Sequence, residues 1–238
     1  MSVLRILHLY PRELGINGDA GNVMALAERA RWRGVEAEVV PYAPGGELPA
    51  GVDIVHIGSG PLSSQRAVHA DVLRIAPRLR DWRDAGVPIL AIAGGWQLLG
   101  AEIETPEGDT LAGAGVFPTR AALGSKRHVG EVVVRMDDGT MLAGFENHSA
   151  STVLDGADPL GRVVSGTGND GSTEGVRVGS SIGTHLHGPI LPMNPVLADR
   201  ILSTALRGEV APVAQTERVD RYATNARRAI ADRLGVSL

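Results

Sequence analysis

Short unbroken apolar runs alternate with stretches of helical period through the first hundred residues. Residues 3–9 form a compact apolar run of strand length. A Gly/Asp/Asn loop from Gly15 to Asn22 follows it. Val23, Leu26, Ala27 and Ala30 then repeat at helical spacing, and Gly34 supplies a helix C-terminus. Residues 35–40, 52–57 and 87–92 are three further strand candidates. Between the last two, residues 66–85 carry Val68, Val72, Ile75 and Leu79 on one face of a predicted helix, which Pro77 is expected to kink or divide. Another helix starts at residues 96–100. Strands alternating with helices predict an α/β fold, a mostly parallel sheet with helices on both faces.

Beyond residue 111 the pattern changes. Short strand-like runs at 129–136, 162–165 and 175–178 are separated by Gly, Asp and Asn turns, which predicts antiparallel additions to one sheet edge. Pro195–Leu206 and residues 217–234 read as amphipathic helices joined through Ala211-Pro212. With no internal repeat or low-complexity linker, residues 1–238 are expected to form a single domain with a C-terminal helix at about 215–235.

Composition narrows the chemistry. With 31 glycines and 3% aromatics, the core falls to Val, Ile, Leu and Ala. The net charge of −4 and the lack of any basic run exclude nucleic acid as an expected partner. No apolar stretch approaches the ~18–20 residues of a membrane span, so no membrane insertion is expected. Residues 1–9 lack a leader pattern, and the expected location is cytoplasmic. The absence of cysteine removes disulfides, thiolate metal sites and any cysteine nucleophile.

Three segments stand out as candidate chemistry. In Ile92-Ala93-Gly94-Gly95-Trp96-Gln97 an apolar strand meets a glycine pair and then a helix, a sharp turn that lifts one side chain above the sheet and frees backbone N–H groups. A tight turn without chemistry fits the same pattern. In Gly183-Thr184-His185-Leu186-His187-Gly188-Pro189 two histidines share a face at i, i+2. A general base is one reading and plain polar residues at a strand end another; with no further ligand close in sequence, no metal is expected. Gly58-Ser59-Gly60-Pro61 follows a strand and can cradle an oxyanion or form a surface turn. Ser63 and Pro61 spoil it as a dinucleotide fingerprint, and no P-loop is present, so no cofactor is expected.

Taken together, these segments resemble class I glutamine amidotransferases of the cobyric acid synthase type, and within them the GatD-like glutaminase subunits. Leu9-Tyr10-Pro11, Asn17 to Asn22 and Arg31 to Gly34 resemble the family's opening. Gly144-Phe145-Glu146-Asn147-His148-Ser149 resembles its middle motif, and Gly183 to Pro195 its histidine motif. The resemblance covers most of the chain and implies a flavodoxin-like architecture. It also implies hydrolysis of glutamine to feed ammonia to a MurT-like ligase subunit, in a heterodimer that amidates lipid II for peptidoglycan. In such enzymes a cysteine at the elbow attacks the side-chain amide while a histidine takes and returns the proton. The resemblance places His187 as that base and Gln97 and Arg127 as holders of glutamine. The N–H of Gly94, with one from Gly58 to Gly60, would form the oxyanion hole. Pro189 stands where the class I acid would follow the histidine, and GatD-like relatives are thought to take that acid from the partner.

The elbow departs from the family. Its nucleophile position is Ala93, and a methyl group cannot attack an amide. Gly58 to Gln65 departs as well, from a Gly-Gly-Gly-Gln-Asp-Arg-Glu-Gln-like run. Two explanations stand at this level: replacement of a native cysteine to trap a complex, or a natural non-catalytic relative that serves as a binding or structural partner of a ligase.

Overall fold

The structure is a computed structural model that describes residues 3–238. The first half follows the alternating pattern: β1 (Leu4–Leu9), α1 (Ala20–Arg31), β2 (Ala37–Tyr42), β3 (Ile54–Ile57), α2 (Leu62–Asp84), β4 (Ile89–Ile92) and α3 (Gly94–Leu99). The second half is mostly strand: β5 (Glu102–Glu104), β6 (Thr110–Ala112), β7 (Thr119–Arg135), β8 (Met141–Leu154), β9 (Gly161–Ser165), β10 (Thr173–Glu174), β11 (Val176–Val178) and β12 (Ser181–Thr184). Three helices end it: α4 (Ile190–Met193), α5 (Pro195–Leu206) and α6 (Ala214–Leu234).

The first sheet has six strands in the order β11-β12-β4-β3-β1-β2. All neighbours are parallel except β11, which runs antiparallel to β12 at the edge. Strands β3 and β4 are buried at every position, as their unbroken apolar runs require of strands covered on both faces. Val23, Leu26 and Ala30 of α1 pack with Leu197, Ile201 and Leu202 of α5 over one face of this sheet. Val68, Val72, Ile75 and Leu79 of α2 cover the other. Arg29, nearly sequestered on α1, joins the outer helices: its guanidinium reaches Asp199 on α5 at 2.6 Å and Asp220 on α6 at 2.6 Å.

Only β11 adds an antiparallel edge to this sheet. The rest of the second half builds a sheet of its own, with the path β10-β9-β7-β5-β6 and β8 paired to β7. Pattern reading reaches only the 129–136 part of the long β7–β8 hairpin, because Gly124 to Arg127 in β7 is exposed and polar and carries no alternation. Helix α6 rests on this sheet through Ile230 against Val133 and Ala143.

Pro77 does not divide α2, which runs unbroken from Leu62 to Asp84. Both Pro77 and Leu73, whose carbonyl loses its helical donor, lie on the solvent face, where water can take over the lost bond. Pro41 likewise sits within β2 because β2 is an edge strand.

Candidate functional site

Parallel topology sets the C-terminal ends of β3, β4 and β12 side by side, and the loops beyond them converge. At the tip of β4, Ala93 has φ 40° and ψ −104°, outside the regions open to an L-residue without strain. Such a conformation costs on the order of 1–3 kcal/mol and persists only where neighbours impose it. Here the Ala93 N–H donates to the Thr184 carbonyl at 2.8 Å, and the Ala93 carbonyl accepts from the N–H of Gln97 at 2.8 Å. The paired glycines are explained by crowding. A Cβ on Gly95 would stand 2.3 Å from the Gly58 oxygen, and one on Gly94 would stand 2.8 Å from the Gly60 oxygen.

A cavity of about 200 Å³ opens over this turn. Ala93, Gly94, Gly60, Gln97 and Arg127 share its wall, as the sequence grouping expects, and Asn147 and His148 join them from β8. Gln97 Oε1 accepts from Gln65 Nε2 at 3.0 Å, which turns its amide across the floor. Arg127 is exposed at the rim, where its Nε donates to Asn147 Oδ1 at 2.7 Å. The Gly94 N–H lies 3.4 Å from Ser59 Oγ. Gly58 is not part of the cavity wall: its Cα packs so tightly on the Leu14 carbonyl that a Cβ would stand 2.2 Å away.

The two histidines of the 183–189 segment turn to different partners. His185 stacks on His148, ring centroids 3.9 Å apart, and its Nε2 lies 3.2 Å from Thr152 Oγ1. Burial, with His148 and His187 nearby, drives the His185 imidazole well below its usual range, so it is neutral. His187 is buried beside the adjoining groove that Asn17, Phe145 and Gly188 line. Its Nδ1 lies 3.2 Å from Asp19 Oδ1, and its Nε2 has no partner among the described residues. The Asp19 carboxylate is fully buried, and its other oxygen accepts the Ser59 N–H at 2.8 Å. A carboxylate thus meets His187 from within the chain.

Asp19, Gln65, Asn147 and His148 were not singled out as site residues from sequence. Asp19 precedes a helical run and has the signature of an N-cap, yet it makes no cap bond. Glu146 and His148 alternate along β8, where Glu146 accepts the Thr167 and Gly168 N–H groups at 2.9 Å each. Burial disfavours the Glu146 charge, but His148 and those two N–H groups outweigh it and hold the carboxyl below its usual range.

Residues 5–195 match the model of the CobB/CobQ-like glutamine amidotransferase domain. The chain is 32% identical over 236 residues to the GatD subunit of a glutamine-hydrolysing lipid II isoglutaminyl synthase from Staphylococcus aureus, covering 98% of this chain and 97% of that protein. It is also 32% identical to the Streptococcus pneumoniae GatD subunit, with 86% of this chain and 81% of that protein covered. Among solved structures, a glutamine amidotransferase superposes with TM-score 0.57 at 18% identity, covering 84% of this chain and 98% of that one. The PurLQS structure from Thermotoga maritima gives TM-score 0.52 at 15% identity, covering 87% and 97%. At such identities these two show a shared fold. Among the described residues no helix is long and apolar enough to cross a membrane.

Proposed function

The chain belongs to the CobB/CobQ-like glutamine amidotransferase family, and on that premise we propose that it is a GatD-type subunit that keeps a glutamine pocket without the group that hydrolyses the amide. The observation that carries this reading is Ala93 itself. It sits in a strained strand-to-helix elbow, in the wall of a cavity it shares with Gln97, Arg127, Gly60 and Gly94, and it offers a methyl group there. Amide hydrolysis by this route needs a nucleophile that forms a bond to the amide carbon, a base that removes its proton, and donors facing the carbonyl oxygen as charge develops. His187 and the Gly94 N–H are retained in the chain, whereas the side chain at residue 93 is a methyl group with no lone pair to offer an amide carbon.

The chain therefore binds glutamine through Arg127 and Gln97 and releases no ammonia. In its working state it partners a MurT-like ligase, by analogy with the lipid II isoglutaminyl synthase subunits to which it is similar. The altered Gly58–Gln65 run, where Gly58 packs on Leu14 and takes no part in the cavity, favours a naturally non-catalytic subunit over a single engineered exchange.

The test is ammonia release from glutamine by this chain and by Ala93→Cys, each with and without His187→Ala and a candidate ligase. The expected result is no turnover by the chain itself, and turnover by Ala93→Cys that His187→Ala abolishes. Release by the unmodified chain above the buffer blank overturns the reading. Calorimetry supplies the binding arm: glutamine binds this chain and loses about tenfold or more in affinity to Arg127→Ala, in line with the ~1.5–3 kcal/mol of a charge-assisted bond. Equal affinity removes Arg127 from the site.

A further inference from the structure

The geometry points to Asp19 as a carboxylate that positions His187 from within the chain. The inference rests on the glutamine-site reading above but is tested independently of it.

Asp19 has two oxygens and two partners. Oδ2 accepts the Ser59 N–H at 2.8 Å, and Oδ1 faces His187 Nδ1 at 3.2 Å. A carboxylate only accepts, so Nδ1, the ring nitrogen that faces it, carries a proton, and in the neutral ring Nε2 then keeps its lone pair. That Nε2 is buried and unpartnered among the described residues. The apposition is held by the backbone on both sides. A Cβ on Gly21 would stand 2.5 Å from Pro189 Cγ, and one on Gly58 would stand 3.1 Å from Asp19 Cβ. The Leu191 N–H donates to Asn22 Oδ1 at 2.9 Å, which ties the start of α1 to the segment that carries His187. His56 completes the surround, its Nε2 lying 3.2 Å from the Asp19 carbonyl. An aspartate at the start of a helix commonly caps it; this one gives up the cap and spends both oxygens across the chain on residues 59 and 187.

Asp19→Asn separates positioning from packing. Asparagine has nearly the same shape but one acceptor oxygen, and the buried Ser59 N–H claims it. The amide NH₂ then faces His187 Nδ1, which must become an acceptor, so the ring proton moves to Nε2. The experiment is nitrogen-15 NMR of the imidazoles in the full chain, with His187 assigned by the loss of its signals in His187→Gln. The expected result is a neutral Nδ1–H tautomer in the unmodified chain and an Nε2–H tautomer in Asp19→Asn. An Nε2–H tautomer in the unmodified chain overturns the proposal without recourse to any variant, as does a tautomer that Asp19→Asn leaves unchanged. A second arm measures turnover. In the Ala93→Cys background, Asp19→Asn is expected to lower kcat by roughly 10³–10⁴-fold with KM held within about twofold, the size of effect seen when the orienting carboxylate of a comparable triad is neutralised. Undiminished kcat overturns the positioning role. An inactive Ala93→Cys protein counts against the glutamine-hydrolysis framework alone, and the tautomer then decides the role of Asp19.

Discussion

Acid sensitivity of this fold is expected to arise in its central strands. His8 on β1 lies directly across from His56 on β3 in the parallel register, with ring centroids 5.3 Å apart. Both face the side of the sheet covered by α1, and both are buried. Burial, and secondarily the neighbouring His56, pushes the His8 imidazole from 6.5 down to about 4. The unfolded chain therefore binds a proton at His8 below 6.5, while the native chain resists until about 4. Stability is lost as pH falls across that window and is unaffected by His8 above it. At ~1.4 kcal/mol per pH unit the loss is on the order of 3 kcal/mol, a large part of the ~5–15 kcal/mol that stabilises an ordinary domain. His56 is lowered too, chiefly by burial, and adds in the same direction. The measurement is urea unfolding of the unmodified chain and of His8→Leu at steps from pH 7.5 to 4.5. Carboxylates common to both proteins cancel in the difference. His8→Leu should gain on the unmodified chain steadily below pH 6.5. A stability difference that stays constant with pH, or a His8 imidazole that titrates near 6.5 by NMR, refutes the reasoning.

Two further outcomes follow from buried charges elsewhere. Arg29→Met leaves Asp199 and Asp220 without their shared cation and should cost about 2–4 kcal/mol in urea unfolding, with faster amide exchange in α6; a loss below about 1 kcal/mol counts against Arg29 as the clamp between the three helices. Glu174 is fully buried, and burial raises its carboxyl despite bonds from Thr184 and the His185 N–H. The folded state therefore holds that proton more tightly than the unfolded chain, and Glu174 weakens the fold increasingly as pH rises above about 4.5. Glu174→Gln, a mimic of the protonated acid, should be near neutral at pH 4 and stabilising at pH 7; a difference independent of pH rules this out.

The parallel half of the fold was legible because its strands are buried on both faces, and burial of that kind writes uninterrupted apolar runs such as Ile54–Ile57 and Ile89–Ile92. The second sheet was legible only in pieces, at 129–136 in β7 and 162–165 in β9. The longest strand spends Gly124 to Arg127 in solvent, and its pairing with β8 shifts register between Leu123 and His128, so its full length left no continuous periodicity to read. The elbow announced itself through Gly94 and Gly95, since only glycine tolerates the Gly58 and Gly60 carbonyls at that distance. Asp19 was hidden by its own plausibility: 168 residues separate it from His187, and at the head of a helix an aspartate already has an ordinary explanation.

Ala93 keeps a backbone shape that alanine has no use for. Its φ of 40° is imposed from outside, by the bond to Thr184 and by the two glycine contacts that follow it, so a small, unreactive side chain gives the turn no means to relax. The aim of this side chain is thus stored in the surrounding scaffold, and residue 93 is a socket that directs whatever is placed in it. On the function proposed above, one substitution there silences the centre and leaves its aim intact, and the reverse substitution is delivered to the same spot without remodelling the fold.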